Sequence, residues 1–512
     1  MVMLAPWWPG PVLATDPVPI QGDIPDQIAM IELVEIDGHA PSLTFHRSRP
    51  VVEPPRRRID GPYDNLLAVG EGVDSDGACS AVKVSSADGV HLRINGSGQG
   101  ICRVGIPLAN GGKTLDVLSG LALRLRGGAF AVETVTLTDR HGRQATAELP
   151  PREAGSSLDQ VVSLDALASE VDLRHLVSLV MALPQASSLG ELSDLTMIER
   201  PVQVRPMPKT GFWVWEYREA MADPGAVLRV CRTQRCQRLF VQMPADSEPE
   251  EQWERYADLL SRLAQEGVEA YALDGYPEAV YEPQRLVAKM HRLLSVMGPR
   301  PLAGIQLDIE PYALAGFIES RDGYSRYLEA IAQMKAAVQG RTRLSIVMPF
   351  WLTSIVAQGR SVGFSVMELA DEVAIMSYRT DLEELQAIAA DAVRYGDRIG
   401  KPVWLSVETR ALPVEQHIRL ERVERWRSAT AYLDRTQRRL VLSAPPSSEQ
   451  GEWFRLVDRT TVRPERLTYH GRSQVDVRTA VIAVMRRVTN FSLAGVVIHD
   501  LTGYRALAPD QP

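Results

Sequence analysis

The segment Gly304-Ile-Gln-Leu-Asp-Ile-Glu-Pro-Tyr312 spaces Gln306, Asp308 and Glu310 two residues apart. In an extended strand that period sends all three side chains to one face. Two carboxylates held together cannot both ionise freely, so one is lifted toward the pKa that a general acid needs near neutral pH. A proton donor beside a second carboxylate is the equipment of glycosidic-bond hydrolysis. Further candidates stand at the ends of other short apolar runs: Trp215 and Glu216, Gln242, Asp274, Tyr312, Trp351, Tyr378 and Arg379, Glu408, and His499 with Asp500. The aromatic members, Trp351 above all, offer flat faces against which a sugar ring can stack. No HExxH or EF-hand pattern occurs, and the cysteines lack the second CxxC or histidine set of a zinc site, so neither metal nor cofactor is expected. Gly359-Arg-Ser-Val-Gly363 lies too far beyond its strand for a nucleophile elbow, and Gly112-Lys-Thr114 lacks the first glycine of a phosphate loop.

The elements that must position these residues are short apolar strands alternating with amphipathic helices, which implies parallel βαβ units. Eight strands are expected at Phe212 to Glu216, Arg238 to Met243, Val268 to Asp274, Leu302 to Ile309, Leu344 to Pro349, Val373 to Ser377, Val403 to Val407 and Leu493 to His499. Helices are expected at Glu250 to Gln265, Pro277 to Val296, Gly323 to Val338, Asp381 to Tyr395 and Val475 to Val488. This pattern predicts a (β/α)₈ TIM barrel over 204–512, whose C-terminal strand ends form the reactive face. A Gly-rich first turn, the mark of a doubly wound nucleotide-binding sheet, is missing. Pro413 to Arg472, between strands seven and eight, reads as an insertion able to form a small flap. Before the barrel, 63–203 alternates with period two between Gly, Asn and Asp turns, as in an all-β sandwich, and 1–62 reads as a leader and Pro-rich linker. The single change of pattern near Val202 to Lys209 predicts a barrel that folds by itself.

Strand four resembles the catalytic strand of the family 18 glycoside hydrolases, the chitinase-like barrels, with pattern Asp-Gly-x-Asp-x-Asp-x-Glu. The resemblance implies that Glu310 is the proton donor and that Asp308 orients an N-acetyl group; Ala303 and Gln306 stand where the first two aspartates would be. Met376-Ser-Tyr-Arg379 is similar to the same family's Met-x-Tyr-Asp, which implies a hydrogen-bonding role for Tyr378 and places Arg379 where aspartate is usual. His499-Asp500 occupies the place of a common tryptophan. Strands four and seven together also resemble the large retaining-glycosidase clan, in which Glu310 would be acid/base and Glu408 nucleophile. The carboxyl separation distinguishes a covalent intermediate (~5 Å) from an inverting water (~6.5 to 9.5 Å). Leu192 to Glu199 looks like the closing strand of the galactose-binding-like jelly rolls that accompany many carbohydrate enzymes.

Across 512 residues the formal charge is -8, which gives no general reason to bind nucleic acid, although a local basic groove is compatible with it. No apolar window reaches the ~20 residues of a membrane span. Met1 to Ala14 resembles the tail of an export signal without its basic start. The cysteines fall as neighbours, Cys79 with Cys102 and Cys231 with Cys236, which suits disulfides in a periplasmic or secreted protein, the alternative being four small buried hydrophobes. The functional expectation is a glycoside hydrolase acting on an oligo- or polysaccharide, N-acetylated sugars included, with Glu310, Asp308, Tyr378 and Glu408 catalytic. The alternative is a catalytically inactive barrel that binds glycan during polysaccharide assembly or export. A third, weaker alternative is a non-glycosidic barrel enzyme with His499 as base. The oligomeric state is not legible.

Overall fold

The computed structural model of the chain describes residues 17–20, 24–36, 41–47, 54–59, 65–76, 78–87, 89–96, 100–128, 130–151, 156–184, 189–199, 206–314, 316–318, 320–338, 340–445, 447 and 451–509. The expected export leader at Met1 to Ala14 lies outside them.

Eight parallel strands close into a barrel: β1 (Lys209–Val214), β2 (Arg238–Gln242), β3 (Glu269–Asp274), β4 (Gly304–Leu307), β5 (Arg343–Pro349), β6 (Glu372–Met376), β7 (Val403–Glu408) and β8 (Leu493–His499), with β8 returning to β1. Each overlaps its expected position. Strand alternation divides the side chains into two sets. Trp213, Phe240, Tyr271, Leu273, Val347, Ala374, Trp404 and Val497 fill the interior, while Phe212, Val241, Ala272, Leu307, Ile346, Ile375, Leu405 and Ile498 pack outward against the helices. The barrel's N-terminal end is closed by Arg238, whose guanidinium lies 4.3 Å from the Tyr271 ring and 4.4 Å from the Trp404 ring and pairs with Glu269 at 2.8 Å and with Glu372. The opposite end is where polar residues gather.

Local chemistry explains the helix boundaries. Leu382–Ile399 begins where the Asp381 side chain accepts from the backbone N–H groups of Glu383 and Glu384, both at 2.9 Å, and ends at Gly400 with φ 69. Gln474–Arg487 starts with a capping box between Ser473 and Asp476. The stretch Pro277 to Val296, expected as one helix, is a short 3₁₀ turn at Pro277–Val280 and a helix at Pro283–Met297, because Pro283 is tolerated only in a first helical turn.

Residues 56–198 form two facing sheets. One is ordered Leu158–Ser163, Ala122–Gly127, Leu189–Ile198, Gly89–Gly96, Cys79–Ser86, and the other runs through Gln144–Glu148, Thr134–Asp139, Leu176–Leu183, Cys102–Pro107 and Asp74–Ser75. Leu123, Leu125, Leu192 and Leu195 from one sheet meet Val135, Leu137, Leu179 and Met181 from the other in one core. A disulfide between Cys79 and Cys102 ties the two sheets together, and a second joins Cys231 to Cys236, with Cα separations of 5.4 and 4.7 Å. Arg56–Arg58 pairs in parallel with Thr114–Asp116, so the sandwich reaches back before residue 63.

The described residues between 17 and 59, expected as Pro-rich linker, contain strands. Met30–Ile36 pairs with Ser42–His46 on one side and with Glu415–Arg422 of the segment between β7 and β8 on the other. Val18–Pro19 pairs with Arg439–Val441, and the whole forms a seven-stranded sheet around Ile31, Leu33, Phe45, Ile418, Leu420, Leu433 and Phe454. Its short strands flanked by prolines hid the pattern, since their partners lie nearly 400 residues away. The sandwich also docks on the barrel through buried charge. Asp116 accepts from Arg394 at 2.7 Å, Arg56 donates to both oxygens of Asp391 at 3.0 Å, and Arg398 reaches the Gly120 carbonyl and Asp165.

Candidate functional site at the C-terminal end of the barrel

The register between β7 and β8 sets Glu408 opposite His499. Glu408 is 3% exposed, and its carboxylate is held from three sides. Oε1 accepts the backbone N–H groups of Thr409 and Arg410, both at 2.7 Å, and Oε2 lies 2.7 Å from His499 Nδ1. Trp215 Nε1 donates to His499 Nε2 at 3.0 Å. An indole N–H can only donate, so Nε2 must offer its lone pair and the imidazole proton resides on Nδ1, facing Glu408. Burial disfavours the charged imidazole, but the hydrogen bond and charge of Glu408, with the charges of Asp500 and Asp308, outweigh it and raise the His499 pKa above its ordinary value. The rings of Trp213 and Tyr378 lie 5.6 and 5.8 Å from the imidazole.

Gln306 is on the inward row of β4, and Asp308 and Glu310 follow just past the strand's end, Glu310 at the start of the 3₁₀ turn Pro311–Ala313. Gln306 is fully buried, accepting from Trp213 Nε1 and donating to Ser345 Oγ at 2.9 Å. Asp308 Oδ1 is buried and has no hydrogen-bond donor among the described residues. Its carboxyl is pushed up to about 7, first by burial and then by the neighbouring charge of Glu310, with His499 pulling the other way. Glu310 accepts a 2.7 Å hydrogen bond from the Tyr312 hydroxyl, and Tyr312 meets Trp351 edge to face at 4.9 Å. Burial and then the adjacent carboxylates hold Tyr312, Tyr378 and Tyr327 firmly protonated. Three neutral hydroxyls thus stand near the carboxylate pair. The backbone that carries Asp308 leaves no room at Gly275, where a Cβ would collide with the Asp308 peptide.

Glu310, Asp308, Tyr378, Glu408, His499, Trp215, Tyr312 and Trp351 therefore share the barrel mouth. Gln242 is half-buried on the inward row of β2, in alternation with Phe240. Arg379 stands at the rim, donating to the Tyr378 carbonyl at 2.7 Å with its guanidinium 5.4 Å from the Phe350 ring. Two expected binding residues turn elsewhere. Asp274 follows inward-facing Leu273, so it points outward and pairs with Lys289 of the helix Pro283–Met297. Asp500 is buried, caps Leu501–Ala506 through Gly503 N at 2.7 Å and accepts from Arg410 Nε at 2.8 Å. Glu216 is exposed, with Arg410 at 3.8 Å.

Tyr327 and Arg410 escaped the sequence reading. Tyr327 sits mid-helix, where nothing distinguishes it from a packing residue, whereas Arg410 stands two places after Glu408 and could have been noticed. Among the described residues no group of three or more His, Cys, Asp or Glu side chains is arranged to hold a metal ion.

No protein-family model matches the chain, and no curated protein matches it. Solved structures do. A class V chitinase from Pseudomonas fluorescens aligns with 58% of this chain and 98% of its own at 12% identity and a TM-score of 0.33. The spore cortex-lytic enzyme of Bacillus cereus aligns over 62% and 78% at 8% identity and a TM-score of 0.32. The CBM22-1–GH10 modules of a Clostridium thermocellum endo-1,4-β-D-xylanase align over 85% and 90% at 9% identity and a TM-score of 0.27.

Proposed function

We propose that this chain is a glycoside hydrolase of an oligo- or polysaccharide, exported to an oxidising compartment where its two disulfides form. The observation that carries the reading is the Asp308–Glu310 pair: two carboxyls on one inward face, one of them raised to about 7 and both near protonated tyrosines. Glu310 donates its proton to the glycosidic oxygen as the C1–O bond breaks, and a water that adds to C1 returns a proton to Glu310. The pair holds one proton up to about pH 7, which Asp308 yields to Glu310 for transfer to the glycosidic oxygen, and the Asp308 carboxylate then steadies the acetamido group of an N-acetylated sugar. Tyr378 supplies a neutral hydroxyl to the same pocket. Glu408, fixed by two backbone donors and His499, presents its carboxylate toward the cation-like transition state.

Purified protein is to be incubated with N-acetylated and non-acetylated oligosaccharides and the products weighed by mass spectrometry. Glu310→Gln should lower turnover by roughly 10²- to 10⁴-fold while glycan binding persists, because the amide keeps the shape but has no proton to give. Unchanged turnover in this variant would refute the assignment. One observation favours a second reading, that of a glycan-binding barrel without turnover: Gln306, where the resembled family has aspartate, has its amide committed to Trp213 and Ser345. Wild-type protein that binds but never cleaves would establish that reading instead.

A further inference from the structure

At one end of the seven-stranded sheet, where Met30–Ile36 begins and Glu415–Arg422 ends, lies a cleft of about 920 Å³. Four arginines, Arg47, Arg422, Arg425 and Arg455, line it together with two carboxylates, Glu424 and Glu452. Arg422 is neutralised by Glu452 at 2.7 Å, but among the described residues no carboxylate lies within ion-pair reach of Arg47, Arg425 or Arg455. Half-buried Trp453 adds an aromatic surface to the lining. The surrounding segment Pro413 to Arg472 carries twelve arginines against eight carboxylates and no lysine, inside a chain whose net charge is -8. The positive charge is thus concentrated here against the trend of the whole molecule.

Arginine forks match carboxylates in a bidentate fashion, and a neighbouring indole matches the apolar face of a pyranose ring. We propose that this cleft binds a segment of acidic polysaccharide, its carboxylates held by Arg47, Arg425 and Arg455 and one ring against Trp453. Both ends of the segment are anchored at the barrel mouth, where Tyr469 N donates to the Glu408 carbonyl at 2.8 Å and Thr468 Oγ1 to the Arg410 carbonyl at 2.6 Å. The cleft lies at the other end of Glu415–Arg422 from these anchors, about one strand length from the barrel mouth. The site stands on its own lining and does not depend on the barrel's being catalytic.

Titration calorimetry on the full chain, in the Glu310→Gln background so that the probe is not consumed, tests this with a short oligogalacturonate and its carboxyl-reduced neutral counterpart. The oligogalacturonate should bind, more weakly as salt is raised, and the neutral sugar should bind at least tenfold less tightly. Arg425→Gln and Arg455→Gln should each cost about tenfold in affinity, the scale of one charged hydrogen bond, and Arg47→Gln, just past the strand Ser42–His46, should do the same. Each variant is to be checked for an unchanged melting temperature, and the Arg47 variant decides the matter if either of the others is misfolded. The proposal is overturned by equal affinity for the neutral sugar, by variants that bind as the parent does, by absence of binding, or by single-stranded DNA of matched length binding as tightly. None of these results bears on turnover by wild-type Glu310, which is measured separately.

Discussion

Replacing Asp308 by asparagine should make the protein more stable at alkaline pH, even as it damages the site. The Asp308 carboxyl is raised from 3.8 to about 7 by burial and by Glu310. Between those two values the folded chain binds a proton that the unfolded chain has released, so stability falls as pH rises through that window and stays low above it. At 1.36 kcal/mol per pH unit the full difference is about 4 kcal/mol, an upper bound because Glu310 shares part of the repulsion. Asparagine keeps the shape and carries no charge to desolvate. Urea unfolding of wild type and Asp308→Asn from pH 4 to pH 9 should therefore show a gap in favour of the variant that opens between about pH 4 and 7, reaching about half the bound. A gap that does not change with pH, or a variant less stable than wild type at pH 8, would refute the idea that Asp308 is held against its own charge.

Gly275→Ala should reduce turnover severely, since the added Cβ must displace the Asp308 peptide; an alanine variant with wild-type turnover would show that this contact is slack. Trp215→Phe removes the donor that keeps His499 Nε2 deprotonated, so the imidazole pKa, followed by NMR, should rise further, and an unchanged or lower value would count against the tautomer assigned. A chain beginning near Val204 should fail to fold as a compact barrel, contrary to what the change of pattern suggests. It strands Asp391 and Arg394 without their sandwich partners, at about 3–5 kcal/mol for each buried pair broken, and leaves buried Arg398 without the Gly120 carbonyl. A soluble, cooperatively melting product would show that the interface is dispensable.

The sequence alone determined the barrel and the carboxylate row, because both rest on short-range periodicity. Short apolar runs that alternate with amphipathic helices become parallel strands, and residues two apart on a strand share a face. For the same reason Gln306, Asp308 and Glu310 could be aligned before any coordinates were known. What only the tertiary structure decided are the pairings between distant segments and the direction each strand end faces. Met30–Ile36 looked like linker until Glu415–Arg422 completed its sheet, and Asp274 looked like a site residue until inward-facing Leu273 turned it to Lys289. Glu408 and His499 were separate candidates until barrel closure set their strands side by side with Trp215 above them. Closure brings together residues far apart in the chain, and hydrogen bonds between such residues leave no trace in local spacing.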